Sequence, residues 1–184
     1  MNKRLFVGIP VKEPIRRAAT LLHTQHKNLE AVRWTPIVQL HLTTWFIGEI
    51  PELMVHNIQS IIQIILRRQK KFSIEFSHLY LAPTPRNPRM IWAKYKLNNA
   101  FQELTQKHSE LFGNLGIYEK QFAKIIPHIT LARFKENSMH KDDFRLTEHL
   151  FPPYLLIDRL TLWESLVSSS GTKYIELKSF LFKS

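Results

Sequence analysis

Leu40-His41-Leu42-Thr43-Thr44-Trp45-Phe46-Ile47 is an apolar run whose first polar side chains alternate with apolar ones. It lacks glycine and proline and is rich in β-branched and aromatic residues, which predicts a strand. On a strand the side-chain period is two, so His41 and Thr43 share one face and Leu42 points to the other. The pattern returns in Pro127-His128-Ile129-Thr130-Leu131-Ala132. There His128 and Thr130 share a face, with Ile129 behind. Two such strands facing each other across a groove bring two imidazoles and two hydroxyls together.

Further strand-like runs cover residues 5–9, 72–77, 90–96, 128–134, 154–163 and 173–182. Three helices are predicted from the 3.6-residue period. The first begins near Pro14 with Ile15, Ala18, Ala19 and Leu22 on one face. The second begins near Pro51, with Glu49 and Glu52 at its positive end and a stripe of Met54, Ile58, Ile61, Ile62 and Ile65. Arg67, Arg68, Lys70 and Lys71 complement its negative end. The third is capped by Asn98 or Asn99 and runs through Phe101, Leu104, Leu111 and Leu115. Strands outnumber helices and do not alternate with them regularly. This predicts an α+β fold with largely antiparallel sheets and the helices on one face.

The turn-rich Ala82-Pro83-Thr84-Pro85-Arg86-Asn87-Pro88 is read as a long connection within one domain or between its two lobes. Strand, helix and strand over 40–82, and again over 90–134, suggest a duplicated unit.

The chain has 184 residues, of which 44% are hydrophobic, which suits one domain spanning 1–184 with a real core. It has no cysteine, which removes disulfides, thiolate metal sites and thiol nucleophiles and fits a cytoplasmic setting. No apolar stretch approaches the roughly 20 residues a bilayer needs. A net charge of +11 favours a polyanionic partner, though a basic surface kept for solubility has the same composition.

The paired motifs suit phosphodiester hydrolysis. The attacking water must lose a proton and the leaving oxygen must gain one. Histidine, with an ordinary pKa near 6.5, does either near neutrality. Threonine hydroxyls bond the non-bridging phosphate oxygens or fix the rings. Arg133 is the nearest cation for charge accumulating on phosphorus. Strict alternation aims it away from the groove, so it contributes only where the strand ends, bulges or twists. No cofactor and no metal set is predicted, since no His-x-x-x-His pair or clustered carboxylates occur. His23, His26, His56 and His140 read as exposed, and His108 falls in the third helix. Trp34, Trp45 and Trp92 are candidate base-stacking rings, at least two of them core or groove wall.

These residues resemble the bacterial RNA 2′,3′-cyclic phosphodiesterase family, also described as 2′-5′ RNA ligases, within the two-histidine phosphoesterase superfamily. The likeness includes Arg4-Leu5-Phe6-Val7-Gly8-Ile9, Val32-Arg33-Trp34, His41-Leu42-Thr43-Thr44 with Phe46-Ile47-Gly48-Glu49, and Pro88-Arg89-Met90-Ile91-Trp92. It continues through Pro127 to Arg133, Leu162-Trp163-Glu164-Ser165, Gly171 and Tyr174. It implies a two-lobed, pseudo-symmetric fold with antiparallel sheets lining a central cleft and helices on the outer faces. It implies metal-free hydrolysis of RNA 2′,3′-cyclic phosphate ends, tRNA fragments among the candidates, to 2′-phosphomonoesters. Reversible 2′-5′ joining carries over with it, and no obligate protein partner is implied. His41 takes the role of proton donor and His128 that of proton acceptor. Thr43, Thr130 and Arg133 take phosphate contacts. Thr44 stands where the family usually has an apolar residue and belongs on the packing face. Two other readings fit the same cleft: a non-enzymatic RNA-end-binding module, and a phosphoesterase for a small cyclic nucleotide or 2′-5′ oligoadenylate.

Overall fold

The computed structural model describes residues 1–30, 32–117, 126–135, 147–168 and 171–183. Its strands are β1 (Asn2–Pro10), β2 (Val32–Trp34), β3 (His41–Pro51), β4 (Phe72–Thr84), β5 (Asn87–Tyr95), β6 (His128–Phe134), β7 (Tyr154–Ile157), β8 (Arg159–Ser168) and β9 (Gly171–Leu181). Its α-helices are α1 (Glu13–Gln25), α2 (Val55–Leu66) and α3 (Asn99–Gly113). Among the described residues no helix is long and apolar enough to cross a membrane.

The strands form one antiparallel sheet in the order β7-β4-β5-β6-β3-β1-β8-β9, with β2 added against β6. The expected antiparallel sheets are thus a single curled one. Its middle is its thinnest joint. The β3–β6 ladder consists of one register pair, Leu42 with Ile129, and both side chains are fully buried. Four strands lie on either side of this seam in the main order. On each side the motif strand is flanked by a partner that precedes it by one helix. The repeated unit is therefore β1-α1-β3 and β5-α3-β6: the second is the expected 90–134 span, whereas the first precedes the expected 40–82 span and ends on the strand that opens it. In both units the histidine opens the closing strand.

The curl follows from connectivity. β7 and β8 lie toward opposite ends of the sheet, yet one residue, Asp158, joins them. Consecutive Cα atoms are about 3.8 Å apart, so the two ends must meet. Phe182 N–H donates to the Asp158 carbonyl at 2.8 Å, and Lys183 N–H to that of Gln69 at 3.2 Å. Phe72 stacks on Phe182 with centroids 6.3 Å apart. The Asp158 carboxylate accepts from Lys12 and Arg159, which holds its pKa below the usual carboxylate range despite the opposing effect of burial.

All three helices bury their stripes in one cluster with the sheet residues that back the motif histidines, Leu42 and Ile129 among them. α1 contributes Ile15, Ala18, Ala19 and Leu22. α2 starts later than expected, because β3 runs to Pro51 and a 3-10 turn, Glu52–Met54, intervenes. Asn98 caps α3 by accepting from Phe101 N–H at 3.0 Å, while its amide donates to the Ser73 carbonyl at 2.9 Å. α3 ends at Gly113, so Leu115 lies beyond it. His108 is wholly buried between Trp45 and Phe112. Desolvation holds its pKa down to about 4.

Two further expectations change. The proline-rich stretch is the tip of the β4–β5 hairpin within one lobe, with Pro83 opposite Pro88 and Thr84 opposite Asn87. Prolines are tolerated there because the ladder is ending and their missing N–H groups cost little. The expected strand over 154–163 is two strands. The break falls at Asp158, where the charged pair Asp158-Arg159 interrupts the apolar run.

Candidate active site

Both motif strands bulge at the same place. In β3, Gly8 pairs with Thr43 and Val7 with Trp45, which leaves Thr44 as the extra residue. In β6, Trp92 pairs with Thr130 and Ile91 with Ala132, which leaves Leu131 as the extra residue. A bulge adds one residue to one strand and resets the alternation. Thr44 and Trp45 are consequently both buried, as are Leu131 and Ala132. Phe46 and Arg133 then emerge on the face that carries the histidines. The second bulge meets the condition on which Arg133 depends. Thr44 lies on the packing face as expected, and its hydroxyl donates to the Val7 carbonyl at 3.1 Å.

The two imidazoles are tethered alike. His41 Nδ1 lies 2.7 Å from the carbonyl oxygen of Gln39, and His128 Nδ1 lies 2.7 Å from that of Ile126. A carbonyl only accepts, so each Nδ1 carries the proton of the neutral ring. Nε2 is left in both rings as the nitrogen for chemistry. Among the described residues neither the Thr43 nor the Thr130 hydroxyl is engaged in a side-chain hydrogen bond of the kind that holds Thr44.

The surroundings differ between the lobes. His41 sits in an aromatic box, with Phe6 at 4.7 Å, Trp163 at 5.3 Å and Tyr174 edge-on at 5.0 Å between centroids. Trp163 reaches across because Gly8, between them, has no side chain. A Cβ there would stand 2.7 Å from the Leu42 carbonyl oxygen and 3.0 Å from the Trp163 ring. His128 stacks on Trp92 at 3.8 Å. Lys94 is its register partner and lies 4.5 Å above the Tyr80 ring.

Desolvation is the largest influence on both histidines. It pulls the His41 pKa to about 4, helped by the charges of His128 and Arg133 and opposed by the Gln39 carbonyl. The His128 pKa is also lowered, by burial first and then by Arg133 and Lys94, against the Ile126 carbonyl. The Arg133 charge thus reaches both rings, while its Nη1 lies 3.1 Å from Met90 Sδ. In the free protein His41 is neutral at pH 7. A ring that must give a proton there needs an anion bound beside it.

His41, Thr43, His128, Thr130 and Arg133 share one face of the sheet across the β3–β6 seam. Phe6, Lys94, Trp163 and Tyr174 also stand at the imidazoles, a placement the sequence alone does not mark. Their signal is only their place in strands that flank the motifs. Trp45 is core, and Trp34 stacks with His23 and contacts His26, so of these three tryptophans Trp92 is the one at a motif imidazole, that of His128. His140 lies outside the described residues. Among the described residues no three His, Asp or Glu side chains converge as metal ligands would.

A family model described as the 2′-5′ RNA ligase superfamily matches residues 10–168. The chain belongs to that superfamily. Similar superfamily proteins include the RNA 2′,3′-cyclic phosphodiesterase of Aquifex aeolicus, 23% identical over 185 residues and covering 96% of each chain. The enzyme of that name from Thermotoga maritima is 26% identical over 176 residues, covering 93% of this chain and 91% of its own. The fold matches a crystal structure of a Thermus thermophilus protein with a TM-score of 0.84, 24% identity and 97% coverage of each chain. It also matches Escherichia coli LigT complexed with 3′-AMP, with a TM-score of 0.72, 21% identity and full coverage of both.

Proposed function

We propose that this chain hydrolyses RNA 2′,3′-cyclic phosphate ends to 2′-phosphomonoesters by acid–base catalysis between its two histidines, without a metal. One observation carries the reading. Two imidazoles, each with Nδ1 tethered to the carbonyl two residues earlier, present Nε2 from either side of a single-pair seam. The names of the relatives in the superfamily support the choice of substrate.

His128 Nε2 takes a proton from water as its oxygen attacks phosphorus. The bond to the 3′ oxygen breaks, and His41 Nε2 delivers a proton to that oxygen. Thr43 and Thr130 hydroxyls donate to the non-bridging oxygens, and Arg133 offsets the charge that accumulates there. The bound phosphate anion raises the pKa of both rings and so supplies the protonated His41 that the free cleft lacks. A ribose 5′-hydroxyl in place of water yields a 2′-5′ linkage by the same steps, and the reverse reaction cleaves it.

The test is a cyclic-phosphate-ended RNA incubated in excess chelator. Turnover to a 2′-phosphate is the expected result. A 3′-phosphate product reverses the leaving group, and loss of turnover in chelator assigns a metal enzyme. Salt-sensitive binding with no product identifies an RNA-end-binding module instead.

The pKa directions set a pH profile. kcat/KM reports the free enzyme, and kcat the complex. Both histidines are lowered when free, so kcat/KM is expected to peak below pH 6.5. The kcat bell is expected to lie at higher pH, because the bound anion raises both rings. Coincident profiles overturn the assignment. His41 and His108 also affect stability. Their folded pKa values lie below the ordinary 6.5, so the stability they contribute is present above pH 6.5 and falls as pH drops toward 4. Assays at the acid limb therefore need a melting curve alongside.

A further inference from the structure

Arg33 of β2 and Arg133 of β6 are direct register partners on antiparallel strands. Such partners lie on the same face with Cβ atoms about 5 Å apart, and like charges placed this way destabilise a sheet. Both side chains are exposed. Among the described residues neither guanidinium has a carboxylate within ion-pair distance.

Arg33 is nonetheless held in place. A Cβ on Gly171 would stand 2.6 Å from one of its terminal nitrogens and 3.1 Å from Cζ. Gly171 has φ +126°, where side chains are rarely found, and it opens β9 at the tip of the β8–β9 hairpin. A hairpin of the opposite lobe thus closes against Arg33. The arginine whose charge reaches both imidazoles is Arg133, and Arg33 stands one strand further out. The other cation at the imidazoles, Lys94, belongs to the same lobe. The surroundings of His41 are aromatic instead. A polyanion leaving the cleft therefore meets positive charge on the β6 side.

We infer that Arg33 binds the phosphodiester group of the nucleotide next to the cyclic end, while Arg133 faces the reacting phosphate. The site then selects a single-stranded oligonucleotide over a cyclic mononucleotide, which has no second phosphate to offer. This rests on the activity proposed above and adds the part of the substrate that lies outside the reacting ring. Two guanidiniums in register, with no carboxylate beside them among the described residues, form a fork with room for successive phosphates. A bound RNA strand removes the repulsion that the free sheet carries.

The test compares 2′,3′-cyclic AMP with a five-nucleotide RNA ending in a 2′,3′-cyclic phosphate. Wild type is expected to favour the oligonucleotide in kcat/KM. In Arg33→Gln the ratio between the two substrates is expected to fall about 10- to 100-fold, the worth of one charge-assisted bond. The slope of log kcat/KM against log salt on the oligonucleotide should shrink by about 0.7, one single-strand phosphate contact. Arg33→Lys, which keeps the charge, should restore the slope. Equal loss on both substrates, an unchanged ratio, or no restoration by lysine overturns the proposal. Should wild type turn over neither substrate, the activity itself fails. Binding of a 5′-labelled oligonucleotide with a 2′-phosphate end then decides. An unchanged Kd in Arg33→Gln overturns the Arg33 contact.

Discussion

His41→Ala and His128→Ala are each expected to lower kcat on a cyclic-phosphate-ended RNA by about 10²- to 10⁴-fold, the usual worth of a positioned acid or base. The double variant should lose little more than either single one, because both rings serve the same step and their effects do not add. A second substrate separates their roles. A nucleoside aryl phosphodiester releases a phenolate that needs no proton. His41→Ala should recover most of its loss on that substrate, since only the proton donor has become dispensable. His128→Ala should not recover, because water must still be activated. Recovery by His128→Ala alone would exchange the two assignments. Retained turnover of the RNA in either single variant would end the two-histidine mechanism.

Leu42→Ala is expected to cost about 2–5 kcal/mol of stability, measured by urea unfolding, as for other fully buried leucines. It should also impair chemistry beyond its effect on the folded fraction. Leu42 faces Ile129 in the only register pair between β3 and β6 among the described residues, and each follows a motif histidine in its own strand. Loss of that contact lets the two imidazoles drift relative to each other. Misplacement by about 1 Å costs on the order of 10²-fold in rate. Ile62→Ala in α2, equally buried, is the control. It should lose comparable stability while keeping kcat, when both are assayed at a temperature where they are folded. Equal kcat values in the two variants would show that the seam does not set the geometry of the site.

The helices and most strands were legible because their signals are local. The alternation of His41, Leu42 and Thr43, and the stripe of Ile58, Ile62 and Ile65, each fit within one element. The bulges left a fainter trace, a pair of consecutive buried residues after each motif. Thr44-Trp45 and Leu131-Ala132 read equally well as ordinary strand until the partner registers are known. The direction of Arg133 therefore depends on a register that the sequence alone does not show. β2 is only three residues long, and a period cannot be read from Val32-Arg33-Trp34. The break at Asp158 leaves only the charged pair Asp158-Arg159 as its local trace, and the meeting of the ends of the sheet is a property of contacts between distant residues. The roles of Phe6, Lys94, Trp163 and Tyr174 are non-local in the same way. Nothing in their own neighbourhoods marks them. The resemblance placed several of these residues in quoted motifs but not at the imidazoles.

The one-residue link at Asp158 bears on how the enzyme works as a machine. Many two-lobed enzymes open and shut around a flexible strap. Here the halves are clasped on the side away from the seam, by Asp158 itself and by the Phe182 and Lys183 contacts beside it. Movement that widens the cleft has to strain that clasp. The protein is better described as a mould than as a jaw. Its aperture is set when the chain folds, and a ligand must fit an opening already cut to size.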